Sequence, residues 1–312
     1  MSGFVQQQSV ECRFESSDSW VILSPIEQSI KRKIESVGTP LKDWDIQINY
    51  GIKTGFNDAF IISTEKRNEI LDNCSSEEER AKTAELIRPI LRGRDIKRYG
   101  YDWANLWLIY IPWHFPYQFD NSITGASEKA EKAFNEKYPA VYNHMLQYKE
   151  SLANRNKAET GIRYEWYAMQ RWGAKYWEDF FKPKIMYPNM TKYMPFYYDE
   201  KGFYQNDKSF MITGKHIPFL TAFLNSSLFK FCFRDNFPEL LGGTRELRKI
   251  FFDKISVIKV SDEINNDFKR EVTNLQSNYT QEKATTIDRM LFDLYGLTEE
   301  ERKVIGYIEI KQ

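Results

Sequence analysis

Two acid-plus-lysine triplets in this chain fit, loosely, the acid-x-Lys half of a metal-dependent nuclease signature: Asp199-Glu200-Lys201 and Glu301-Arg302-Lys303. Phosphodiester hydrolysis of that kind needs carboxylates that converge on a divalent cation. Neither triplet has a Pro-Asp pair upstream; the first falls in a predicted hairpin turn, the second on a polar helix face. The three histidines, His114, His144 and His216, show no zinc-ligand spacing and read as structural. A Gly-x-Ser-x-Gly elbow and a phosphate-binding Gly-rich loop are both absent from the sequence. The residue types favour recognition by charge over bond-making chemistry.

Charge is distributed unevenly. Lys plus Arg and Asp plus Glu both number 44 in the 312 residues, so bulk electrostatics neither argues for a polyanionic partner nor excludes one. Three basic clusters nevertheless stand out. The stretch "PILRGRDIKRYG" and the residue before it hold Arg88, Arg92, Arg94, Lys97 and Arg98, with only Asp95 to offset them. Residues 151–192 carry Arg155, Lys157, Arg163, Arg171, Lys175, Lys182, Lys184 and Lys192, against Glu159, Glu165, Glu178 and Asp179, among Trp166, Tyr167, Trp172, Tyr176 and Trp177. The third cluster is Arg245, Arg248, Lys249, Lys254 and Lys259. Acids concentrate at 65–85 and after 262, giving a basic middle between acidic margins. Such clusters form either solvated faces or a nucleic-acid cleft in which Lys and Arg meet phosphate.

The elements that would position these clusters follow from periodicity. Ser24-Pro25-Ile26-Glu27 predicts a helix start, with Ser24 as N-cap, Pro25 at the first position and Glu27 closing a capping box; Gly38-Thr39-Pro40 ends that helix. From Asp45 the period becomes two: "WDIQINYGI", "DAFIIS", "LWLIYIP", "KPKIMYP" and "SFMIT" predict strands, and "PFYYDEKGFYQN" a hairpin about Asp199–Gly202. Ser127–Leu152 predicts helix interrupted at Pro139, and "IPFLTAFLNSSLFKFCFRDNF" one buried helix. After Val260 the pattern is of two or three amphipathic helices. The division expected is 1–44 as N-terminal segment and helix, 45–260 as the principal domain and 261–312 as a helical subdomain. The fold class is α/β (α+β), a mixed twisted sheet with flanking helices. An aromatic content of 16 % suits a β-rich fold with broad contact surfaces. Three scattered cysteines, Cys12, Cys74 and Cys232, and the lack of an apolar run of about 18 residues lead to the expectation of a cytoplasmic, non-membrane protein.

"WVILSPIEQSIKRKIESVGTPLKDWDIQINYGIKTGFNDAFII", followed by "LIRPILRGRDIKRYG" and "WLIYIP", resembles the TaqI-like C-terminal specificity domain. That is the target-recognition domain of type IIG restriction–modification enzymes and adenine-N6 DNA methyltransferases. "FKPKIMYPNM", "LTAFLNSSLFKF", "LGGTRELRK" and "IDRMLFDLYGLTEEE" occur in the order such proteins show, so the resemblance covers about residues 19–300. It implies double-stranded DNA as partner, with contacts from Lys53, Thr54, Asn57, Arg92, Arg94, Lys97, Arg98, Arg163, Arg171, Lys184, Thr244 and Arg245. Gly93 would let the backbone turn between two arginines, and Thr244 and Arg245 could cap a following helix. The family also carries a methyltransferase domain with an S-adenosylmethionine loop and an Asn-Pro-Pro-Tyr-type motif. This chain has no Pro-Pro dipeptide. It reads as an excised domain or separate subunit that uses no cofactor itself and works with a methyltransferase domain or subunit. A metal-dependent nuclease and a protein-interaction module are the competing readings.

Overall fold

The protein is described here from a computed structural model covering residues 24–309. Residues 1–23, and with them Cys12 and the run Trp20–Leu23, lie outside the described residues. In chain order, helix α1 (Pro25–Val37) leads to strand β1 (Ile46–Tyr50) and then β2 (Ile61–Ser63). Helices α2 (Thr64–Asp72) and α3 (Glu77–Leu86) precede β3 (Ile87–Leu91) and β4 (Leu106–Ile109). Helices α4 (Glu128–Lys137), α5 (Pro139–Leu146) and α6 (Lys149–Asn154) follow. Next come β5 (Lys184–Pro188), β6 (Met190–Thr191), β7 (Tyr197–Asp199), β8 (Tyr204–Gln205) and β9 (Ser209–Gly214). Helices α7 (Ile217–Asn225) and α8 (Ser227–Phe233) lead to β10 (Glu239–Leu240) and β11 (Thr244–Glu246). The chain then runs through α9 (Asp262–Ser277), α10 (Gln281–Leu294) and α11 (Glu299–Ile305).

Two four-stranded sheets carry the architecture. The first has the order β7-β5-β9-β1 and is antiparallel throughout. The second has the order β8-β3-β4-β2, with β8 parallel to β3 and the other pairs antiparallel. A smaller antiparallel sheet, β10-β11-β6, lies at the margin. Strand β9 shows why the first sheet is apolar on both faces. Phe210 and Ile212 enter a core with α1, α7 and the C-terminal helices, whereas Met211 between them enters a second core with β3, β4 and the helices around 130–152. The chain crosses between these cores at Gly51. A Cβ there would lie 2.0 Å from the Asn206 carbonyl oxygen, so only glycine permits the approach.

The cap predicted at Ser24 is present: the Ser24 hydroxyl accepts from Glu27 N–H, and the Glu27 carboxylate accepts from Ser24 N–H at 2.6 Å. The break at Pro139 is also present, with Pro139 opening α5. Three helices follow residue 260, and their Phe268, Val272, Ile287 and Leu291 pack in the same core as Ile30 and Ile34 of α1.

Three expectations need correction. "DAFIIS" is strand only from Ile61, because the consecutive residues Ala59 and Phe60 are both buried in one core and need a helical turn to face the same way. The hairpin about Asp199–Gly202 does not form: β7 pairs with β5 in the first sheet, whereas β8 pairs with β3 in the second. The long apolar helix is two, because the extended backbone at Ser226 restarts it and its hydroxyl caps Phe229 N–H at 3.0 Å.

Candidate nucleic-acid interface

The arginine stretch folds as a short 3-10 turn, Gly93–Asp95, between β3 and a two-residue strand, Ile96–Lys97. Asp95 is buried and holds the turn closed. Its carboxylate accepts from Arg92 N–H at 2.8 Å and from the Arg92 guanidinium at 2.9 and 2.8 Å. These bonds raise the Arg92 pKa above its ordinary value and make Arg92 part of the turn. Gly93 is needed for a different reason from the one the sequence suggests. Its φ is not in the left-handed region; a Cβ would instead lie 2.7 Å from the Lys208 carbonyl oxygen. Arg98 is also corrected. It is buried, donates twice to the Asn225 carbonyl at 3.1 and 2.9 Å and reaches the Tyr279 hydroxyl at 2.9 Å. It ties the stretch to α7 and the C-terminal helices and keeps only 5 % of its surface exposed, at the wall of the groove lined by Arg94 and Lys97.

Arg88 is half-buried, its guanidinium 5.7 Å from the Phe181 ring, which leaves Arg94 and Lys97. Arg94 is exposed and has no ion-pair or hydrogen-bond partner among the described residues. Lys97 lies 3.5 Å from Asp102 with both side chains well exposed, a geometry that solvent weakens. Both line an open groove of about 730 Å³ with Lys208, Pro188, Met190 and Tyr193. Lys208 is exposed and its ammonium is likewise unpaired among the described residues; Met190 and Tyr193 are 50 % and 65 % exposed. Three cations therefore edge an apolar floor, and Glu309, the carboxylate in the lining, forms no ion pair with any of them among the described residues.

The second cluster is compensated at its arginines, whereas Lys157 and Lys175 are exposed with no ion-pair partner among the described residues. Glu159 accepts from Arg163 at 2.8 Å and from Arg171 at 2.9 and 3.1 Å, and these guanidinium contacts hold its carboxyl below the usual range. Lys184 has no exposed surface. Its ammonium meets Asp199 at 2.6 Å and the Phe180 carbonyl at 2.9 Å, so the expected DNA contact is ruled out by burial. Arg155, another member of this cluster, is mostly buried and donates to the carbonyls of Thr54, Trp166 and Ala168; burial pulls its pKa down to about 10. It braces the loop that carries Lys53. That loop pairs by backbone with Arg171, Lys53 N–H donating to the Arg171 carbonyl and the reverse, each at 2.9 Å. Lys53 and Asn57 are exposed, whereas Thr54 is 3 % exposed and donates to Asn57 Oδ1 at 2.6 Å. Thr54 therefore orients Asn57 and is itself shielded.

Thr244 and Arg245 cap no helix; they lie in β11. Arg245 is 7 % exposed and donates to the Phe237 carbonyl at 2.9 Å and to Glu239 at 2.8 Å, with Asp235 at 3.0 Å. It staples the loop before β10. The acid triplets do not converge: Asp199 is buried against Lys184, and Glu301 caps α11 and pairs with Lys33 at 2.7 Å. Among the described residues no group of His, Cys, Asp or Glu is gathered as a metal would require.

Residues 88–257 match the TaqI-like C-terminal specificity domain. The chain belongs to this family. Its fold is similar to that of the type IIL restriction–modification enzyme MmeI, solved in complex with DNA, at TM-score 0.51 and 12 % identity. That match covers 84 % of this chain and 34 % of MmeI. The type IIG restriction endonuclease BpuSI aligns at TM-score 0.48 and 12 % identity, covering 87 % of this chain and 33 % of BpuSI. The chain thus spans about a third of the length of these two enzymes. No curated protein matches it. The matched span contains Arg94, Lys97 and Lys208 of the groove, the second basic cluster and Arg245, while Lys53, Thr54 and Asn57 precede it. No helix among the described residues is long and apolar enough to cross a membrane. Lys208, Met190 and Tyr193 went unmarked by sequence, because a lone lysine after the Asn206-Asp207 turn carries no pattern.

Proposed function

We propose that this specificity domain recognises double-stranded DNA in a sequence-specific way as the target-recognition part of a type IIG restriction–modification enzyme. In this reading it orients an adenine-N6 methyltransferase module, carried elsewhere, so that an adenine is flipped into that module's pocket. The observation that carries the reading is the groove edged by Arg94, Lys97 and Lys208 inside the family-matched span. An unpaired cation can displace a counterion condensed on DNA, whereas one already held by a carboxylate or carbonyl gains little by doing so. Lys53 and Asn57, exposed on a loop braced by Arg155, are the proposed readers of base edges; Asn suits adenine and Lys suits guanine. S-adenosylmethionine belongs to the methyltransferase partner, and the cytoplasm is the compartment where such a pair would act.

Fluorescence anisotropy with labelled duplexes across salt tests this. Three phosphate contacts predict that log affinity falls with log salt at a slope of about −2.7. A complex insensitive to salt, or none at low salt, would refute the reading. Calorimetry with S-adenosylmethionine should show no binding by the domain alone, and micromolar affinity would reassign it. Replacing Lys53 and Asn57 by Ala should change which duplex is preferred, by about 1–3 kcal/mol per true base contact.

A further inference from the structure

We propose that Leu241 is an apolar wedge that enters the base stack of the bound duplex; this rests on the DNA-recognition reading above. Leu241 is 100 % exposed at the tip between β10 and β11, and Leu240 beside it is 40 % exposed. Gly242 and Gly243 follow at φ +74° and +77°, and a Cβ at either would meet nothing within 4 Å. The glycines therefore serve the turn itself, and the tip stands clear of the body. A single exposed leucine is ordinary. This one differs in its support and in its neighbours.

The stem is stiff. Glu239 pairs with Arg245 and Leu240 with Thr244, and the buried Arg245 guanidinium holds Glu239, Asp235 and the Phe237 carbonyl together. The same sheet reaches the cationic groove: β11 pairs with β6 through Arg245 and Thr191, and Met190 and Thr191 of β6 form the groove wall. Continuing that register by one residue sets Lys192 opposite Thr244, at the end of the sheet where the tip projects. Lys192 is exposed and has no ion-pair partner among the described residues. β10 is two strands from β6, roughly 10 Å at ordinary strand spacing. That offset is similar to the distance between a backbone phosphate and the bases it flanks, given groove depths of about 8 Å. A duplex whose phosphates lie along Arg94 and Lys208 would thus present base edges to the leucine. Apolar side chains used in this manner unstack one base step and kink the duplex, which lowers the cost of extruding a neighbouring base. Asp235 and Glu239 beside the tip are both held by Arg245, and the unpaired cations that favour a polyanion over an apolar protein partner are Lys192 and those of the groove reached through β6.

The test uses the full chain and a duplex selected by it from a randomised pool, with 2-aminopurine placed at successive positions and fluorophores at the ends. The expected result is a several-fold rise in 2-aminopurine fluorescence at one step and a shortened end-to-end distance. Leu241→Ser should abolish both, weaken binding about tenfold as a buried leucine is lost, and leave the salt slope and thermal midpoint unchanged; Leu241→Met should restore both signals. Unchanged fluorescence and affinity in Leu241→Ser would overturn the wedge. So would a duplex bound with the expected salt slope but unperturbed at every step, which leaves DNA recognition standing. Failure of the unaltered chain to bind any duplex at low salt would instead remove the reading beneath it. Concentration-dependent self-association lost in Leu241→Ser would make the tip a protein contact and also overturn the proposal.

Discussion

The groove beside Gly93 and the cleft between Arg171 and Trp177 are both basic, both rimmed by aromatic side chains and of similar size, about 730 and 760 Å³. Their charges are disposed differently. In the cleft, Arg171 pairs with Glu159, which it shares with Arg163 beside the cleft, Lys182 meets Asp179, which also accepts from Asn49 at 2.9 Å, and Lys175 is exposed and unpaired among the described residues. The guanidinium groups of Arg163 and Arg171 lie 5.3 and 6.0 Å from the Trp113 ring, which in turn stacks on Tyr164 at 4.7 Å. In the groove, Arg94 and Lys208 answer to nothing within the described chain, and Lys97 only loosely to Asp102. Similar composition therefore yields a wall whose arginines are compensated, with Lys175 left unpaired, in one place and a surface edged by unpaired cations in the other. A basic cluster is informative once its internal partners are subtracted.

Lys184 is the extreme of the compensated class and should give the largest effect. Lys184→Ala leaves the buried Asp199 carboxylate unpaired within the first sheet, at a cost of about 3–5 kcal/mol in chemical denaturation. DNA affinity per folded molecule should be unaltered. A stable variant with weakened DNA binding would break the comparison, because burial would then have failed to separate the classes. Next in size is Arg94→Ala with Lys208→Ala. Removing two phosphate contacts should reduce affinity on the order of tenfold to a hundredfold near 100 mM salt and flatten the slope by about 1.8. The thermal midpoint should hold, since unpaired surface cations contribute little to stability. If the double variant binds as before, the groove is a solvated face.

Local chemistry was legible and distant partnership was not. The helix start at Ser24 could be read because its cap lies within three residues, and the interruption at Pro139 because proline acts on its own turn. The stretch 88–98 could be marked as basic, but Arg92 and Arg98 are tied to internal partners, the first half-buried and the second buried, for opposite reasons. Asp95, three residues on, was a visible partner for Arg92; the Asn225 carbonyl that takes Arg98 lies 127 residues away. The failed hairpin has the same origin. Gly202 at φ +75° does make a turn, but Lys184 and the parallel pairing of β8 with β3 decide where its arms go. Gly93 was chosen by the approach of Lys208, a contact no spacing announces. Leu241 lay in plain view inside "LLGGTRELRK" and read only as part of a turn, since exposure is not a sequence property.

The smallest effect is the sharpest check on the compensated cleft. Arg163 is well exposed and makes one ion pair, with Glu159 four residues earlier. Arg171 bonds the same carboxylate through two nitrogens. In Arg163→Ala, Glu159 keeps this second partner, so no acid is left bare. Fold stability should move by no more than about 0.5 kcal/mol, as for exposed pairs generally. The local balance changes from two cations on one acid to one on one, so any outward field from this site falls to near zero. DNA affinity should therefore change by less than about threefold and the salt slope by less than one contact. A loss as large as that of the Arg94–Lys208 pair would mean that Glu159 positions Arg163 for phosphate in place of neutralising it. The cleft would then join the groove as part of the DNA surface.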